Sequence, residues 1–245
     1  FSNIKWNATD MARFFTFDTL STPITLQLID CIFTNANNPS YSLISFTGNP
    51  LSNTLILRNT TFDNISTPSL FTMASNTNSS LIIEGCRFTN NMNGVMMANM
   101  SCNNTACSQF VDIRNNIFDS NQGPLFHFNN TDWPSFVSMI TMDNNTFLNH
   151  SGGVLKNIGD KLCNISLTFS NSAVTSTASN GGVFSMASLS SSTMSISITN
   201  SQFLQCSATT SGGVLWISAK NSLVSLTSLN TSFQDSQAST NGGSL

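Results

Sequence analysis

The chain has 245 residues, 40% hydrophobic but only 8% charged, with a formal net charge of −3. That balance leaves no basic stripe for nucleic acid or an anionic membrane surface. No apolar run reaches the roughly 18 residues of a membrane span, so the chain is expected to bind no nucleic acid and to lack a membrane span.

Taken in order, the chain repeats one unit. A turn residue recurs at Asn3, Asp30, Asn59, Gly85, Asn115, Asn144, Asn171, Asn200 and Asn230, at intervals of 26 to 30 residues. Three residues after each stands a large apolar side chain: Trp6, Phe33, Phe62, Phe88, Phe118, Phe147, Val174, Phe203 and Phe233. Two and four residues before the turn sit further apolar pairs, such as Leu26 and Leu28, Leu81 and Ile83, or Ile196 and Ile198. A second apolar column follows each polar loop and reads Phe14, Leu43, Leu70, Met96, Leu125, Leu155, Phe184, Leu215 and Leu245. The later units enter it through Gly152-Gly153, Gly181-Gly182 and Gly212-Gly213. Glycine supplies the φ > 0 and close backbone approach that a sharp strand entry needs. The stretches 176–180, 188–193 and 207–211, rich in Ser, Thr and Ala, read as loops.

Period two within strands and a long period between units describe a solenoid whose coils stack at roughly 4.8 Å. The predicted architecture is an all-β parallel β-helix of about nine coils, forming a single domain over residues 1–245. Both ends look uncapped, so the domain reads as a fragment or repeating unit of a longer protein or assembly.

The outward position before each turn alternates in sign over four coils: Arg58, Glu84, Arg114 and Asp143. Stacking sets these four side by side, a register lock of about 0–1 kcal/mol per exposed pair. Eleven Asn-X-Ser/Thr sequons point to secretion and covalent N-glycans. Asn7, Asn64, Asn78, Asn99, Asn103, Asn129, Asn149 and Asn164 are assigned to turns or loops where a sugar stands clear. Asn59, Asn144 and Asn230 occupy the turn column, where amide stacking competes with the sugar. The six cysteines suit an oxidising compartment, with Cys102 and Cys107 as the expected disulfide across a short loop. Cys31 and Cys86 share a column two coils apart, about 9.6 Å, beyond disulfide reach.

Catalysis by paired carboxylates needs them on adjacent coils. Asp63 and Asp119 share a column, but Thr89 lies between them, and Glu84 is the only glutamate. His127 and His150 lack a metal-ligand spacing. The sequence therefore predicts no enzyme, no metal and no cofactor.

With these residues assembled, the chain resembles the polymorphic outer-membrane-protein type of β-helix repeat. The matching motifs are Gly-Gly-Val-Leu at 152–155 and 212–215, Gly-Gly-Val-Phe at 181–184, and Asn-X-X-Phe followed by Asn, as in Asn144 to Asn149. Here Gly-Gly-Val stands for the family's Gly-Gly-Ala, and most copies place the asparagine two rather than three residues after phenylalanine. The resemblance implies a right-handed parallel β-helix used at cell surfaces, often for adhesion, and the crossover rule gives the same hand. The expected function is a structural, extracellular or cell-surface glycoprotein, stacking end to end as a homo-oligomer, coat or filament. An adhesin or carbohydrate-binding module is the alternative, and a polysaccharide lyase or hydrolase the third.

Overall fold

A computed structural model describes residues 1–7, 14–17, 23–38, 40–46, 52–75, 78–100, 107–130, 136–159, 163–188 and 192–240. Every strand pairing among them is parallel, and neighbours in a sheet are one repeat apart in sequence. Three sheets result, two of eight strands and one whose main path has nine. The first sheet holds the longer strands before each turn, such as Phe136–Asp143 and Thr193–Thr199. The second holds three-residue strands such as Arg87–Thr89 and Ile117–Asp119. The third follows the glycine corner, with strands such as Leu155–Gly159 and Phe184–Ser188. The coils are thus stacked with the expected period.

The turn column has a single conformation. Asn3, Asp30, Asn59, Gly85, Asn115, Asn144, Asn171, Asn200 and Asn230 all adopt φ between 47° and 64°. That left-handed conformation is open to Gly and, at small cost, to Asn and Asp, which explains the composition of the column. A second left-handed column, at Asn35, Asn64, Asn90, Ser120, Asn149, Gln205 and Asp235, closes the short second sheet. The asparagine two residues after phenylalanine is therefore a corner, and a coil has three strands. One coil departs from the pattern. Its strand Ala173–Asn180 runs on past the point where its neighbours turn, and Ser207–Ser211 pairs with it, so 176–180 and 207–211, read as loops, are strands.

Inside, Phe33, Phe62, Phe88, Phe118 and Phe147 are fully buried and in register. Their rings stack at centroid spacings of 4.9 to 5.1 Å with planes within 7° of parallel. Trp6 is tilted against Phe33, while Phe203 and Phe233 resume the stack. The pairs before the turn are aligned as expected, with Leu55 on Leu81 and Leu57 on Ile83.

The second apolar column needs correction. In register are Phe15, Ile44, Phe71, Met96, Phe126, Leu155, Phe184 and Leu215. Phe14, Leu43, Leu70 and Leu125 belong to the column one residue earlier, with Val95, Val154, Val183 and Val214. From Leu43 onward that earlier column is also buried. At this corner two consecutive residues point inward, so strict alternation fails and the sequence pattern slips by one. Leu245 lies outside the described residues.

Candidate functional site

Many buried polar side chains hydrogen-bond from one coil to the next. The residue after each left-handed turn has a backbone N–H that points inward. In six successive coils it is donated to the side chain of the equivalent residue one coil on. Cys31 donates to Thr60 Oγ1 at 3.4 Å, Thr60 to Cys86 Sγ at 3.5 Å, and Cys86 to Asn116 Oδ1 at 2.7 Å. Asn116 donates to Asn145 Oδ1 at 3.1 Å, Asn145 to Ser172 Oγ at 3.0 Å, and Ser172 to Ser201 Oγ at 3.3 Å. All seven residues are buried, where an unmade hydrogen bond is costly. Inspection of the sequence alone missed this ladder, although its signal is present: from Asp30 onward, a residue with an acceptor in its side chain stands after every turn. Cys31 and Cys86 are free thiols; Cys86 Sγ accepts in the ladder, while Cys31 Sγ donates to the Ile29 carbonyl at 3.2 Å, and burial pushes the Cys86 thiol up to about 12. Neither is bonded to the other, as their separation required.

A second internal ladder follows the other corner. Ile65 N–H donates to Asn91 Oδ1 and Asn91 N–H to Asn121 Oδ1, both at 3.1 Å. His150, 2% exposed, ends this series, and its Nε2 donates to the Gly153 carbonyl at 2.8 Å. Burial is the main cause that brings its pKa down to about 4, so the ring is neutral at pH 7.

The charge column is aligned as expected, Arg58 on Glu84, Glu84 on Arg114, and Arg114 on Asp143. Its ion pairs are not continuous. Arg58 Nε lies 3.3 Å from Glu84, but Arg114 Nε turns to Asp112 on its own strand at 2.6 Å. The i−2 side chain on the same face competes with Glu84 and Asp143 one coil away on either side, and Arg114 Nε takes the partner on its own strand. Asp143 accepts instead from Ser170 Oγ at 2.6 Å and Asn171 Nδ2 at 2.7 Å. The Ser170 hydrogen bond is the chief cause holding its pKa below the usual carboxylate value.

Two of the sequons assigned to turns or loops sit in turns, and the other described ones sit in strands. Asn64 and Asn149 are in left-handed turns, and their amides donate to Asn35 and Asp119. They resemble Asn144 and Asn230, which donate to Asn115 and Asn200. Asn59 shares that turn column. Asn7, Asn78, Asn99, Asn129 and Asn164 lie in strands rather than loops. Of these, Asn78 and Asn164 are exposed. Asn103 and Cys102 lie outside the described residues, so the Cys102–Cys107 pairing falls there too.

Among the described residues no three metal-type ligands cluster. A groove of about 370 Å³ opens on the outer face of the third sheet, beside the glycine corner. Its floor includes Lys156, Ser185 and Trp216, stacked in register on successive coils below His127. Gly152 and Gly181 form its bare rim. A Cβ on Gly181 would meet the Phe184 carbonyl at 1.9 Å, so the tight turn of its own coil forbids a side chain there.

The stacked parallel coils agree with a direct comparison, in which residues 3–162 match the family described as "right handed beta helix region". The chain belongs to the right-handed β-helix family. No curated protein and no solved structure matches it. Beyond the matched span the β-helix continues in the same register through Leu223–Leu229.

Proposed function

We propose that this β-helix is a structural element of an extracellular surface coat or filament, N-glycosylated and assembled by end-to-end stacking of copies. One observation carries the reading. The buried acceptors of the two internal ladders, Thr60, Cys86, Asn116, Asn145, Ser172 and Ser201 in one and Asn91 and Asn121 in the other, and the carboxylates of Asp63, Asp119 and Asp143, are spent on hydrogen bonds within and between coils. Such side chains define and stiffen a rod; they do not converge on a substrate. A parallel coil edge is itself a template for the next parallel strand, and a contact that repeats head to tail without closing grows a fibre. Electron microscopy of the full protein over a range of concentrations tests this. Rods that lengthen with concentration are expected, and particles that stay single at high concentration contradict it. Intact mass before and after deglycosylation, on protein from a secreting eukaryotic host, tests the glycan component.

A second reading, a carbohydrate-binding or adhesive side face, is favoured by the groove at Trp216. It is compatible with the first, because the groove lies on the side of the rod.

A further inference from the structure

The outer face of the third sheet carries an aromatic, a hydroxyl and a cation in one line. Trp216, Ser185 and Lys156 occupy equivalent positions on three successive coils, so Trp216 and Lys156 stand about 9.6 Å apart at one strand spacing per coil. All three line the same groove, with Ile158 and Ala187 beside them. Trp216 is half-buried, its indole body presented to the groove. The lining contains no carboxylate, and no ion pair engages Lys156 among the described residues. The neighbouring His127 is held neutral by burial and then by Lys156 itself, which leaves Lys156 as the positive charge of the stripe. The bare glycine rim lets a bulky ligand approach the floor.

From this arrangement we infer that the groove binds an oligosaccharide bearing a carboxylate or sulfate. One sugar ring lies on the Trp216 indole, an acidic substituent faces Lys156, and Ser185 hydrogen-bonds between them. An apolar platform with a few placed polar groups is the usual make-up of a ligand site, an aromatic ring offers the large apolar surface that anchors it, and charge complementarity selects the anionic partner. The inference rests on the carbohydrate-binding reading and adds the class of glycan and its place.

The test is titration calorimetry of the full protein with three acidic oligosaccharides, carrying uronate, sialate or sulfate, each beside its neutral counterpart. Trp216→Ala and Lys156→Gln are compared with the parent, with circular dichroism confirming the fold. Binding of at least one acidic glycan is expected, weakened about tenfold or more by Trp216→Ala. Lys156→Gln should abolish the preference for acid over neutral, and added salt should do so in part. Lys156→Gln changes only a surface side chain, so it decides the matter if Trp216→Ala fails to fold. Equal binding of neutral glycans, unaffected by Lys156→Gln, overturns the acidic inference and leaves the carbohydrate-binding reading. Acidic binding indifferent to both substitutions overturns the assigned groove. No binding by any of the glycans overturns both.

Discussion

Phe169 stands between Phe147 and Phe203 because Val174, the residue in the file position between them, is too small to reach. Its ring lies 6.0 Å from Phe147 and 5.7 Å from Phe203, and is fully buried. In the same column of the first sheet, neighbouring coils carry Met142 and Ile198. The coil has exchanged a large residue on the second sheet and a smaller one on the first for the reverse, which preserves core volume.

Val174→Phe alone should therefore overpack the interior and destabilise the protein by about 1–3 kcal/mol. Adding Phe169→Ile should restore most of the loss. Denaturant unfolding of both variants checks this; equal loss in the single and the double variant would show that the two sites do not share volume. Phe118→Ala, in the unbroken part of the file, should cost roughly 3–5 kcal/mol in the same assay.

Asn116 should be replaceable only by residues that keep an acceptor. Its Oδ1 receives the Cys86 N–H, while its Nδ2 donates to the Ile83 carbonyl and to Asn145 Oδ1. Asn116→Leu leaves those buried groups unmet, at about 1–3 kcal/mol for each one orphaned. Asn116→Ser, the residue type at positions 172 and 201 of the same ladder, should cost less. A reversed order in thermal unfolding would exclude the ladder as a source of stability.

Stability should fall between neutral pH and pH 4 because of His150. Its folded pKa, about 4, lies below the ordinary value of 6.5, so the unfolded chain takes up the proton first as pH drops. Stability is lost from about pH 6.5 downward and levels off below about 4, for a total near 3 kcal/mol. His150→Asn, which extends the Asn91–Asn121 series, should flatten that part of the profile. Asp143, whose pKa is lowered by Ser170, acts in a different window: its contribution is full above the ordinary carboxylate value and is lost only as pH falls below it. Chemical denaturation from pH 7 to 3 separates the two.

Arg58→Ala and Glu84→Ala should each change stability by about 0–1 kcal/mol, since both side chains are about half exposed. Unfolding at low and high salt checks this, and a larger loss would give the pair a structural weight that its exposure denies.

The phenylalanine file, the left-handed turn column and the coil period were legible because each recurs once per coil in one residue class. What escaped had no such recurrence. At the glycine corner both Leu125 and Phe126 are buried, and two adjacent inward residues hide which one begins the strand. The internal ladder mixes Cys, Thr, Asn and Ser, so shared acceptor chemistry, not residue identity, marks it. Arg114 had Glu84 and Asp143 as carboxylate partners by pattern, but its Nε pairs with a third, Asp112, on its own strand. The groove joins Lys156 to Trp216 across two coils, a pairing visible only once the register is known.

The central claim is that equivalent residues one repeat apart lie directly above one another, and an experimental density map tests it most directly. The expected result is a continuous internal file in which the Phe88, Phe118 and Phe147 rings are parallel at 4.9 Å spacings. Rings on different faces, or separated by more than one strand spacing, would contradict it.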